Sequence, residues 1–339
     1  MICITTLASA VRRTPLTTVL RARTFSSTSI LQSSRPATDN AGSDGASPPR
    51  KKVTLQTLAA LHKRREPIAM LTAHDYPTAV FVERSGAETL LVGDSLAMVA
   101  LGLPSTVQLT MDEMIHHCRA VARGASSPFL IADMPFGSYE ADPRIAVANA
   151  ARLIKEGGVE AVKIEGGVDM ADTARAIVRA GIPVLGHIGL TPQRLAMLGG
   201  FRVQGKSAAK AKLLVDDALA LQAAGCFGVV LEAVPAPVAQ HITSVLSVPT
   251  IGIGAGAGCS GQVLVQQDML GIFDRFVPKF CKQYATLGAV ATDALREYVH
   301  EVKAGQFPAE QHTYPMTEEQ QRKFAEAVKD GASKDDASK

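Results

Sequence analysis

The sequence predicts an α/β chain whose parallel strands close into a (β/α)8 barrel. Three observations lead there. From residue 53 onward, short runs of β-branched and aliphatic residues alternate with stretches whose apolar residues recur at helical spacing. Eight such repeats fit into about 230 residues, close to the usual size of this barrel. Ionisable residues fall at the C-terminal ends of successive strand-like runs, the rim where barrel chemistry collects. A doubly wound open sheet is the competing architecture, and its usual strand number is lower.

The elements follow in order. Residues 53–66 have helical spacing and could close the barrel bottom. Residues 67–73 read as a strand, with a helical stretch near 77–86, and 89–94 as the next strand. Residues 110–125 read as a helix, with Thr110 as N-cap and Glu113 three residues on, a capping box. Strand 129–135 leads to helix 142–158, which ends on Gly. Strand 161–167 precedes helix 170–181, and strand 183–189 precedes helix 209–225. Strand 228–235, helix 237–246, strand 249–256 and helix 261–271 come next. The weakest strand signal is FVPKF, 276–280, ahead of a helical C-terminal region.

Residues 1–52 stand apart. They hold eight basic residues against Asp39 and Asp44, so the net charge of +3 conceals +6 in this segment and −3 in the rest. Residues 1–37 are rich in Arg, Ser and Thr, with short apolar runs between arginines, the composition of a mitochondrial transit peptide. A disordered basic tail is the competing reading. Residues 38–52 are rich in Gly, Ser and Pro and read as a disordered linker. The catalytic barrel is expected over 53–312, with a C-terminal helix and disordered tail over 313–339.

The acidic balance beyond residue 52, the absence of Trp and the few aromatics give no support to nucleic-acid binding. No apolar run is long enough for a membrane span. Cys3, Cys118, Cys226, Cys259 and Cys281 are scattered without a CxxC pair, which fits neither a disulfide framework nor a zinc site.

The rim residues carry the chemistry. In AVKIEGG, 161–167, strand alternation points Lys163 and Glu165 to one face. A buried ion pair would explain that pair alone. Asp94, Asp133, His187 and Glu232, however, lie at the ends of neighbouring strands. So many charges at one rim would be costly as mere packing. Asp94, Asp133 and Glu165 are hard oxygen donors that suit octahedral Mg2+. Lys163 could then bind a substrate carboxylate or oxyanion. GIGAGAG, 252–258, lies on the seventh strand rather than in an N-terminal βαβ unit, so it reads as close backbone packing rather than a dinucleotide fingerprint.

VGDSLAMVALG (92–102), ADMPFGSY (132–139), VKIEGG (162–167), GHIGLTPQ (186–193), GGFRVQGK (199–206), LEAVP (231–235), GIGAG (252–256) and GQVLVQQDMLG (261–271) occur in this order. Together they resemble the ketopantoate hydroxymethyltransferase family over roughly 53–312. The resemblance implies a barrel of the phosphoenolpyruvate/pyruvate type that moves a hydroxymethyl group from 5,10-methylenetetrahydrofolate to 3-methyl-2-oxobutanoate, giving 2-dehydropantoate in pantothenate biosynthesis. It implies Mg2+ held by Asp94, Asp133 and Glu165, and substrate contacts from Asp94, Ser95, Asp133 and Lys163. It implies Glu232 as general base, His187 as a supporting pocket residue, and a homodecamer in the mitochondrial matrix. Ala97, Ser260 and His74 depart from the family pattern without removing a catalytic group. The alternatives are a Mg2+-dependent carbon–carbon lyase of the same barrel class, acting on a 2-oxo or 2-hydroxy acid, and a non-catalytic binding barrel. No KKCGH-like lyase loop is present, and no carboxylate of the set is missing.

Overall fold

The computed structural model describes residues 50–335. The transit-peptide reading of 1–37 and most of the linker reading lie outside the described residues. Arg50 and Lys52, read as the linker's end, are tied to the barrel: Arg50 Nη1 donates to the Ala87 carbonyl at 2.7 Å and Lys52 Nζ to the Pro128 carbonyl at 2.6 Å.

Eight parallel strands form a closed barrel in simple sequence order: β1 (Ile68–Thr72), β2 (Thr89–Val92), β3 (Phe129–Asp133), β4 (Ala161–Glu165), β5 (Val184–Gly189), β6 (Gly228–Glu232), β7 (Thr250–Ile253) and β8 (Gly261–Leu264). The helices are α1 (Leu55–Arg64), α2 (Tyr76–Ser85), α3 (Leu96–Val99), α4 (Met111–Gly124), α5 (Pro143–Arg152), α6 (Ala171–Arg179), α7 (Leu195–Leu198), α8 (Ala208–Ala224), α9 (Ala236–Val245), α10 (Gln266–Met269), α11 (Leu287–Lys303) and α12 (Glu318–Asp335). The capping box expected at α4 is present, with Thr110 Oγ1 accepting from the Glu113 N–H and the Glu113 carboxylate accepting from the Thr110 N–H.

Strand alternation divides the core into two layers. Val162 and Ile164 of β4, Leu90 and Val92 of β2 and Val229 and Leu231 of β6 pack outward under the helices. Ile68, Met70, Leu91, Phe129, Ile131, Ala161, Leu185, Val230, Ile251 and Val263 fill the barrel interior, with Val53 and Leu58 of the α1 segment in the same cluster. The interior is therefore apolar below, and the next inward positions toward the strand C-termini are Asp133, Lys163, Glu165, His187 and Glu232.

The end of the barrel corrects the sequence reading. Residues 261–271 are not one helix: 261–264 form β8, which closes the barrel by pairing Ile68 with Gly261 and Leu71 with Leu264, and only 266–269 are helical. Two valines and a leucine in five residues favour a strand, while the following QQDM favours a helical turn, so one apparent helix is two elements. FVPKF, 276–280, is not a strand and runs irregularly along the cavity.

Candidate active site

A cavity of about 500 Å3 opens at the C-terminal ends of the strands, and all seven residues singled out from the sequence line it: Asp94, Ser95, Asp133, Lys163, Glu165, His187 and Glu232. Register places them. Asp133 pairs with Lys163 across β3–β4, and Glu165 pairs with His187 across β4–β5. Lys163 and Glu165 do share the inward face. Their burial is no isolated ion pair, because Asp94, Asp133, Lys163, Glu165 and His187 are all buried together.

The contacts form a chain. Asp133 Oδ2 accepts from the Asp94 N–H at 2.9 Å, and Lys163 Nζ sits 2.8 Å from Asp133 Oδ1. Lys163 Nζ lies 3.2 Å from His187 Nδ1, which is 3.4 Å from Glu165 Oε1. On the other side of the ring, His187 Nε2 is 3.2 Å from Glu232 Oε2.

Two residues quoted only within motifs prove to organise this chain. Gln193 is buried, its N–H donating to Glu165 Oε2 at 3.0 Å and its Nε2 to Asp94 Oδ2 at 2.9 Å. The Tyr139 hydroxyl donates to Gln193 Oε1 at 2.6 Å and accepts from the Glu165 N–H at 3.1 Å. The Gln193 backbone thus fixes Glu165, its side-chain amide fixes Asp94, and one phenol fixes the amide. The signal was the presence of a buried-type amide and phenol inside GHIGLTPQ and ADMPFGSY, but nothing in strand periodicity assigns residues that lie beyond a strand's end.

The backbone beside Glu232 is unusual. Ala233 takes a left-handed φ of 48°, a conformation that strains a residue bearing a Cβ. Gly189, at the end of β5, has φ 95°, and a Cβ there would lie 2.2 Å from the Glu232 carbonyl oxygen. Glycine at 189 lets the β5 end pass against β6.

Electrostatically the ring is short of positive charge. Within the ring, Asp94, Asp133, Glu165 and Glu232 stand against Lys163 and His187, an excess of two negative charges when all are ionised. Burial raises the Asp133 carboxyl to about 6 against the attraction of Lys163, and burial and Glu165 raise Asp94. Burial opposes the charge on Lys163 as well, but Asp133, Glu165 and Asp94 outweigh it and its pKa is raised. His187 is lifted to about 9, because Glu165 and Glu232 outweigh burial and the repulsion of Lys163.

Among the described residues no three His, Cys, Asp or Glu side chains converge at metal-ligand spacing. The donor set nevertheless fits Mg2+ in the form that uses one or two carboxylates and completes its shell with water and substrate. Asp94 and Asp133 are adjacent hard donors, Glu165 Oε1 has no hydrogen-bond donor, and a divalent cation balances the two excess charges.

The opposite wall of the cavity is aromatic. Phe273 meets Phe276 edge-on, with ring centroids 5.5 Å apart, and Phe276 lies 6.1 Å from Phe201. Arg275 Nη2 donates to the Gly102 carbonyl at 2.9 Å, tying this segment to the loop after α3.

Comparison with known proteins gives a consistent picture. A family model described as ketopantoate hydroxymethyltransferase matches residues 52–310. The chain is 59% identical over 270 residues to a 3-methyl-2-oxobutanoate hydroxymethyltransferase of Oleidesulfovibrio alaskensis, covering 80% of this chain and 93% of that one. It is 57% identical over 282 residues to the Emericella nidulans protein of that name, covering 83% and 81%. A rice relative named as a mitochondrial 3-methyl-2-oxobutanoate hydroxymethyltransferase is 56% identical over 268 residues, covering 78% and 67%. Among solved structures, 2,3-dimethylmalate lyase, a member of the PEP mutase/isocitrate lyase superfamily, superposes with a TM-score of 0.50 at 18% identity, over 84% of this chain and 97% of that one. At that identity the likeness concerns the fold alone.

Proposed function

The chain belongs to the ketopantoate hydroxymethyltransferase family, and from that premise we propose how its residues move a hydroxymethyl group onto 3-methyl-2-oxobutanoate to give 2-dehydropantoate in pantothenate biosynthesis. The one-carbon donor in this reading is 5,10-methylenetetrahydrofolate and the metal is Mg2+. The carrying observation is the ring of buried Asp94, Asp133, Lys163, Glu165 and His187, joined by half-buried Glu232, above a closed apolar floor.

Asp94, Asp133 and Glu165 would hold Mg2+, and the ion would supply Lewis-acid stabilisation of negative charge on the keto oxygen. Lys163, kept charged by the surrounding carboxylates, offers its Nζ to the substrate carboxylate. Ser95, beside Asp94 on the same wall, adds a hydroxyl to that contact. Glu232 removes the proton from C3, and His187 Nε2, 3.2 Å away, keeps Glu232 Oε2 oriented toward the cavity. C3 then bonds to the donor's methylene carbon as one of its two C–N bonds breaks, water oxygen replaces the second nitrogen, and tetrahydrofolate leaves carrying the C3 proton and one water proton on those nitrogens. The aromatic wall excludes bulk water while the carbanion is exposed.

Proton NMR of 3-methyl-2-oxobutanoate in D2O with enzyme and Mg2+ tests this. Loss of the C3 proton signal is expected, abolished by EDTA and slowed about 10²- to 10⁴-fold by Glu232→Gln. Absence of exchange and of 2-dehydropantoate, even with the methylene donor present, would overturn the reading. It would favour the lyase or a non-catalytic barrel.

The N-terminal composition and the name of the rice relative support a mitochondrial matrix location. We assign the chain a homodecameric assembly. Helix α11 supports self-association, since it buries no residue in the monomer and exposes Val290, Leu295, Tyr298 and Val302. Sedimentation of the full chain checks that state.

A further inference from the structure

The cavity is larger than a five-carbon keto acid needs; about 500 Å3 lies in the range that encloses a ligand several times that size. Its strand-borne ring accounts for one side only. On the other side, where β8 passes into α10, stands Asp268, a cavity-lining carboxylate that is 8% exposed. Among the described residues no donor reaches its Oδ1. Burial without any compensating partner raises this carboxyl to about 6. A buried carboxylate without donors is expensive to keep, and such a group is expected to find its donors in a ligand.

Its surroundings define the ligand's shape. Phe273 and Phe276 present apolar rings to the same space, which suits a flat heteroaromatic body. Lys279 and Arg202 line the cavity and are exposed, so they offer cations where the cavity meets solvent. Exposure rises from the carboxylate through the aromatic rings to the cations. Tetrahydrofolate has the complementary order. The 2-amino group and N3–H of its pterin are two parallel donors that match the two oxygens of one carboxylate. The pterin and aminobenzoyl rings are flat and apolar on their faces, and the glutamate tail is anionic.

We propose that this wall is the folate subsite, with Asp268 receiving the pterin's 2-amino and N3–H donors, Phe273 and Phe276 lying against the ring system, and Lys279 and Arg202 meeting the glutamate carboxylates. The assignment rests on the transferase reading above. It sets the donor in the same cavity as the reacting ring of strand-end charges.

Isothermal titration of the full-length enzyme, with Mg2+ and 3-methyl-2-oxobutanoate present, tests the assignment. The titrants are tetrahydrofolate and its analogue with methyl in place of the 2-amino group. The wild type is expected to bind the analogue about 10- to 100-fold more weakly, the loss of a hydrogen bond to a charged group. Asp268→Asn is expected to weaken tetrahydrofolate by a similar factor and to discriminate little between the two titrants. A packing role for Asp268 would weaken both titrants equally. Equal affinity of the wild type for both would overturn the subsite even if Asp268→Asn failed to fold. Production of 2-dehydropantoate by the wild type separates the two failures: with turnover intact, only the subsite falls, and without it the transferase reading falls first.

Discussion

The two walls of the cavity are built by different means. The ionisable wall stands on β3 to β6, and its members are placed by strand register: Asp133 beside Lys163, Glu165 beside His187, Glu232 one strand further. The aromatic wall stands on the segment after β8 and on the loop holding Phe201, neither with regular structure over those rings. A wall on strands is stiff and its side chains are locked by one another, whereas Phe201 and Phe276 keep about half their surface exposed, at 55% and 45%. The difference suits the two tasks. Charges that must stabilise a developing anion have to be fixed in advance, while a surface that admits and releases a large co-substrate has to give way.

The largest effect should come from unbalancing the stiff wall. Asp133→Ala leaves Lys163 buried without its nearest counter-charge, and urea unfolding should register a loss of about 3–5 kcal/mol. Adding Lys163→Met to that variant should return most of the stability, because the uncompensated charge goes with it. If the double variant is no more stable than the single, the ring is held by something other than charge balance.

Gln193→Ala comes next. It removes the side-chain amide that holds Asp94 and takes the Tyr139 hydroxyl, while the backbone N–H to Glu165 stays, and kcat/KM should fall about 10- to 100-fold with Mg2+ required at higher concentration. A drop in stability alone, with an unchanged Mg2+ requirement, would make Gln193 a packing residue only.

The same contrast explains what the sequence revealed. Lys163, Glu165, His187 and Glu232 were legible because alternation along a strand states which side chains share a face. Strands β1 to β7 were legible for the same reason. β8 was not: four residues followed by a helical turn give too short an alternation to separate from a helix, and pairing with β1 decides the matter. Gln193, Tyr139 and Asp268 lie beyond strand ends, where chain direction depends on tertiary contacts. FVPKF has the β-favouring residues of a strand, but β1 and β8 already close the barrel and leave it no edge to join.

On the yielding wall the effects should be smaller. Phe276→Ala removes a ring that touches two others, and KM for the methylene donor should rise about 2- to 10-fold. An increase confined to the keto acid would reverse the division of labour between the walls.

The smallest expected effect lies at the seam, where the stiff wall ends. Ala233 follows Glu232 directly and holds a left-handed φ of 48°. Its N–H donates to the Ile253 carbonyl at 2.9 Å and its carbonyl accepts from the Gln204 N–H at 2.9 Å, so strand β7 and the loop of the opposite wall hold it there together. Such a conformation costs a Cβ-bearing residue about 1–2 kcal/mol, while glycine gives back about 0.5–1 kcal/mol through its greater freedom when unfolded. Ala233→Gly should therefore stabilise the fold by at most about 1.5 kcal/mol, read as a small rise in the urea midpoint at constant slope. If the strained turn also aims Glu232, the same variant should slow C3 proton exchange while stability rises, since the glycine permits turns that the alanine forbids. A gain in both would mean that the two hydrogen bonds alone aim the base and that the strain serves no catalytic purpose.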